Sequence, residues 1–130
     1  MKLAFLTRKG YKEKDVDIVL NFGTLESLCR DLNIDFFQID IIAKKDRVLF
    51  MTNLLYHGYL TNYQECFTEV RKKGKLFAWL FLFRNPLYDK VNALIWYEKM
   101  SQESQKELTQ KMIALSGEIK KLSGSKKKVS

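Results

Sequence analysis

The chain carries a single histidine, His57, which removes most nucleophile–base arrangements from consideration. His57 stands directly before Gly58, where a helix is expected to end. An imidazole near the carbonyl end of a helix is favourable on its own account, so a structural role is preferred to a catalytic one. Asp15 and Asp17 lie two apart on an expected strand, a spacing that general acid/base pairs sometimes use. No partner motif accompanies them, and acids on an edge strand more commonly discourage aggregation. Cys29 and Cys66 form no CxxC pair and sit among apolar neighbours, so both read as buried free thiols. No HxxxH, CxxC or acidic calcium loop offers metal ligands. The glycines, at 10, 23, 58, 74, 117 and 124, are too scattered to cradle a phosphate. The expectation is no catalytic constellation, no metal and no cofactor: not an enzyme.

The elements that carry these residues are expected to be mostly helical. Leu3-Ala4-Phe5-Leu6 reads as a first strand and the polar stretch 8–14, with Gly10, as a turn. Val16, Ile18, Leu20 and Phe22 alternate with Asp15, Asp17 and Asn21, the pattern of a second, half-buried strand. Thr24 is the expected N-cap of a helix bearing Leu25, Leu28, Cys29 and Leu32, with Asn33 at its stop. Segment 34–42 fits a short helix and an irregular packed segment equally well. Asp46 caps a helix whose face holds Val48, Met51, Leu54, Leu55 and Tyr56, ending at His57-Gly58. Asn62 with Glu65 opens the next helix, which turns Cys66, Phe67 and Val70 inward and exits through Arg71-Lys72-Lys73-Gly74. Leu28, Leu54, Leu55 and Phe67 form the expected core.

The run 76–83 is apolar on every side, so periodicity alone leaves a buried helix and a buried strand open. Helix is favoured, because helices surround it and Asn85-Pro86 makes a natural stop and restart with Pro86 at the first helical position. From Leu87 a 4,3 spacing continues, broken between Glu98 and Gln105, where Ser104 and Glu107 form a capping box. The helix 105–122 is apolar only along Leu108, Met112, Leu115, Ile119 and Leu122. This narrow seam is suited to self-association or to one neighbouring helix of the same chain. The expected organisation is one α+β, mainly α domain over 1–122: an N-terminal β-hairpin on a small helical bundle, with 105–122 a protruding C-terminal helix. Residues 123–130 read as a flexible basic tail.

Composition narrows the function classes. With 46% hydrophobic and 29% charged residues the chain is globular rather than disordered. Nine Phe, six Tyr and two Trp are too many for a 130-residue chain to hide easily, so part of the aromatic surface is expected to meet a protein partner. Phe77, Trp79, Phe81, Phe83, Trp96 and Tyr97 are the candidate partner-binding residues, since a helix over 76–83 cannot bury all its sides. The net charge of +8 is uneven: residues 1–70 hold nine Lys/Arg against ten Asp/Glu, and residues 71–130 hold fourteen against five. A basic half beside Trp79, Trp96 and Tyr97 would suit a nucleic acid. Trp79, however, sits among Leu and Phe, as core and protein-interface residues do, and solvated helix ends account for much of the excess. The longest apolar run is eight residues, against about 20 for a membrane span, and the N-terminal run is short for a signal peptide. No membrane and a reducing cytoplasm are expected.

One longer pattern covers residues 2–64, about half the chain. A strand, a charged turn and a second strand lead into Asn21-Phe22-Gly23-Thr24-Leu25-Glu26-Ser27-Leu28-Cys29. Further on comes Phe50-Met51-Thr52-Asn53-Leu54-Leu55-Tyr56-His57-Gly58-Tyr59. The pattern resembles the tail assembly chaperones of long-tailed bacteriophages, with their N-terminal hairpin, Phe-Gly-x-Leu helix start and aromatic-x-Gly-apolar helix end. The stretch 76–122 has no position-by-position counterpart. The resemblance implies a small helical protein of the bacterial host cytoplasm that coats the apolar tape-measure protein until the tail tube polymerises around it. Residue types and resemblance converge on a non-enzymatic chaperone that shields an apolar helical partner. The alternatives are a basic nucleic-acid-binding accessory protein and a helical, homo-oligomerising scaffold.

Overall fold

The computed structural model describes the backbone of residues 1–129 and the side chains of residues 1–119. Two antiparallel strands, β1 (Lys2–Thr7) and β2 (Gly10–Asp15), precede six α-helices. These are α1 (Phe22–Leu32), α2 (Ile39–Lys45), α3 (Arg47–Lys72), α4 (Lys75–Arg84), α5 (Lys90–Glu98) and α6 (Gln102–Val129), with a 3-10 turn, Phe36–Gln38, before α2. The α+β, mainly α architecture with an N-terminal hairpin is the one the residue pattern predicts. Segment 34–42, whose pattern fits a short helix and an irregular segment equally well, holds the 3-10 turn and the start of α2.

The hairpin is tighter than expected. Thr7 pairs with Gly10 across a two-residue loop, Arg8-Lys9, and Gly10 takes the left-handed φ of 109° that the turn requires. The second strand is therefore the polar stretch 10–15 and not the alternating segment 16–22. Backbone pairing asks nothing of the side chains that face water, and β1 alone supplies Leu3, Ala4 and Phe5 to the core. The alternation in 16–22 has a different cause. Val16 and Ile18 are buried and Asp17 exposed, in an extended segment that docks on α3, where the Val19 N–H donates to the Gly58 carbonyl at 3.1 Å.

That docking corrects a second expectation. No helix ends at His57-Gly58 and none begins at Asn62, because α3 runs unbroken for 26 residues. At Gly58 the extended segment lies close enough that a side chain would collide with Ile18, so the glycine serves packing and not capping. Three caps also move. Asn21, not Thr24, caps α1: its side chain accepts from the Thr24 N–H while the Thr24 hydroxyl accepts from the Asn21 N–H. Pro86 lies in the connector, and Asp89 caps α5. Ser101, not Ser104, caps the start of α6, which runs past the expected end at 122 to Val129. Ser104 is buried, and its hydroxyl donates to the Lys2 carbonyl at 2.6 Å, tying α6 to β1. Asp46 and Asn33 hold the capping positions predicted for them.

Leu28, Leu54 and Leu55 lie in a core shared by β1, α1, α3, α5 and α6, whereas Phe67 is only half-buried. The core's centre is aromatic. Trp96 has ring centroids 5.6 Å from Phe5, 5.5 Å from Tyr59 and 6.0 Å from Tyr88. These separations are in the range that aromatic pairs prefer.

Candidate functional site

Helix α4 is strongly apolar and yet exposed. None of the ten residues of α4, Lys-Leu-Phe-Ala-Trp-Leu-Phe-Leu-Phe-Arg, is buried. The segment forms the favoured helix and, as a helix apolar on every side must, leaves much of its apolar surface uncovered. A sharp turn at Gly74, with φ 137°, folds α4 back along the second half of α3, its main packing partner. Phe81 carries that contact, with ring centroids 5.2 Å from Tyr63 and 6.0 Å from Phe67. The far end is tied down by two tyrosine hydroxyls: Tyr63 donates to the Asn85 carbonyl at 2.8 Å and Tyr59 to the Pro86 carbonyl at 3.2 Å. Burial holds both phenols protonated beyond the usual tyrosine range. The helix is thus anchored along one side only.

Its other sides face water. Leu76, Phe77, Trp79, Leu82 and Phe83 are all at least half exposed, with Trp79 at 61% and Phe83 at 77%. Leu76, Trp79 and Phe83 follow the i, i+3, i+7 spacing of a single helix face. The Trp79 and Phe83 rings stack with centroids 5.8 Å apart and planes 18° from parallel. Isolated exposed apolar side chains are ordinary, but five on one three-turn helix form the kind of surface that marks a binding site.

The six candidate partner-binding residues divide among four environments. Phe77, Trp79 and Phe83 lie on the exposed surface of α4, and Phe81 lies beneath it on α3. Trp96 is 0% exposed, at the centre of the core, which removes it from any docking surface. Tyr97 is half-buried and lines an open groove of about 690 Å³ with Met51, Met100, Leu108 and Met112. Ala93 and Trp96 share one face of α5, and both are fully buried. Leu76 and Leu82 join the aromatic residues on the exposed surface. Phe37, 91% exposed on the 3-10 turn, carries no sequence signal that separates it from its neighbour Phe36.

The seam of α6 packs on its own chain. Leu108 and Leu115 belong to the core, and Met112 and Ile119 pack against it. Leu122 and the basic tail lie outside the residues whose side chains are described.

The titratable residues hold the scaffold together. His57 is not at a helix end but inside α3, where its Nε2 donates to Asp31 Oδ2 on α1 at 2.9 Å. Lys90, the first residue of α5, pairs with the same carboxylate oxygen. The Lys90 ammonium holds the Asp31 carboxyl below its usual range, with His57 assisting and partial burial opposing. Asp31 thus joins three helices. Cys29 is half-buried, its thiol pushed up by burial and by Asp35, while Cys66 is exposed, so neither is the fully buried thiol expected. Among the described residues no helix is long and apolar enough to cross a membrane. No protein-family model, curated protein or solved structure matches the chain.

Proposed function

We propose that the protein is a non-enzymatic chaperone that shields an apolar helix of another protein on the exposed face of α4. The resemblance to phage tail assembly chaperones names the tape-measure protein as that partner. A single observation carries the reading: Leu76, Phe77, Trp79, Leu82 and Phe83 are exposed on a helix that the rest of the chain holds in place from behind. Leaving such side chains in water is unfavourable by roughly 25 cal/mol per Å² of apolar surface. A partner helix that covers them recovers this, and rigid aromatic anchors on a scaffold already folded lower the entropic cost of docking. Helix-in-groove recognition works in this way, with apolar anchors at i, i+3 and i+7 meeting an apolar partner.

The two tryptophans make the reading testable without a label. Trp79 is exposed and Trp96 fully buried, so collisional quenching by acrylamide acts mainly on Trp79. Titration with a Leu-rich helical peptide should shift the emission to the blue and protect it from quenching. A Trp79→Phe variant should bind with most of that signal lost. Unchanged emission and unchanged quenching at saturating peptide would overturn the proposal.

A further inference from the structure

We infer that the helix held on α4 carries a block of acidic residues at one end, the end that lies over Arg71–Lys75. This inference rests on the docking reading above and adds the chemistry and direction of the partner. Segment 70–85 contains five cations, Arg71, Lys72, Lys73, Lys75 and Arg84, and no carboxylate. All five are exposed. Four of them gather where α3 turns into α4, and one stands at the far end. The only ion pair formed there among the described residues joins Lys72 to Glu69 at 3.1 Å, with both side chains about two-thirds or more in water. Such a pair neutralises little.

The placement works against α4 itself. A helix N-terminus bears a partial positive charge that acidic residues normally offset. Here Gly74 provides no side-chain cap, the first turn of α4 has no acid, and Lys75 is its first residue. Arg71 and Lys72 suit the negative C-terminal end of α3, but no acid of α4 offsets its own positive end, which stands directly beside the exposed apolar face. A partner helix whose apolar stripe covers Leu76, Trp79 and Phe83 brings one of its ends against this cluster. Carboxylates at that end gain attraction and lysines there are repelled, so charge sets the direction in which the helix lies. A ten-residue helix is about 15 Å long, so the acids flank a contact of about three turns.

Three labelled Leu/Ala helical peptides that differ only at one end, in a block of Glu, Gln or Lys, test this by fluorescence anisotropy against the full chain. The Glu peptide should bind several-fold more tightly than the Gln peptide, and the Lys peptide most weakly. Combining Lys72→Glu, Lys73→Glu and Lys75→Glu should reverse that order with the circular dichroism unchanged. Lys73→Gln with Lys75→Gln, a milder pair, should level it. Equal affinities for the three peptides would overturn the inference and leave apolar docking standing. Binding of none would remove both. Tighter uptake on anionic phosphatidylglycerol vesicles than on any peptide, lost in the charge-reversed variant, would also overturn it, because the surface would then be lipid-seeking.

Discussion

Ile18 rests directly on Gly58: a Cβ at position 58 would come within 2.6 Å of Ile18 Cγ2 and 3.2 Å of the Val19 carbonyl oxygen. The extended segment after the hairpin therefore lies on α3 at the one position of that helix without a side chain.

Gly58→Ala sets two effects against each other. Alanine favours an α-helix over glycine by about 1 kcal/mol, whereas forcing an extra methyl into a packed contact costs about 1–3 kcal/mol. Here the neighbours include backbone and cannot simply rotate away, so overpacking wins. Urea unfolding should show a lower midpoint for the variant. A midpoint equal to or above the parent's would mean that the contact relaxes freely.

The boundary between scaffold and surface is equally open to measurement. Leu54 is fully buried, so Leu54→Ala should cost about 2–5 kcal/mol. Phe83→Ala removes a larger side chain from an exposed position and should stay within about 0.5 kcal/mol. Comparable losses in the two variants, by chemical denaturation, would mean that α4 is part of the core.

Asp31 ties stability to acid. Its carboxyl lies below the ordinary value of 3.8 in the folded chain because Lys90, and then His57, favour the charged form. A depressed folded pKa stabilises the fold above the unfolded value, and that contribution disappears as pH falls through the folded one. Asp31→Asn should therefore lower the unfolding temperature at pH 7 and leave it nearly unchanged in the acid limit. A variant equally destabilised at both pH values would show that the Asp31 charge is not the cause.

The sequence yielded the elements whose signals are local, and misled where one residue type serves two purposes. The caps at Asp46 and Asn33 and the helix over 75–84 follow from neighbouring residues alone. Gly58 after His57 looks like a helix stop, but its reason is the approach of Ile18, some 40 positions away. Polar β2 hid as a loop because an exposed strand needs no apolar alternation, while the alternating segment beside it faces a helix. The run 76–83 implied that a helix there could not bury all its sides, but not that Phe81 would be the residue to face α3. Trp96 and Trp79 look alike in sequence, each among apolar neighbours. Only the packing of α5 against β1 and α3 places the first in the core, and only the one-sided anchoring of α4 leaves the second in water.

Co-expression with a helical, aggregation-prone partner such as a tape-measure segment tests the proposed docking of an apolar helix on the exposed face of α4. The soluble fraction of that partner is compared for the parent chain and for Trp79→Ser combined with Phe83→Ser. The parent should keep the partner soluble, and the double variant, equally stable in urea, should let it precipitate. A folded double variant that solubilises the partner as well as the parent does would contradict it.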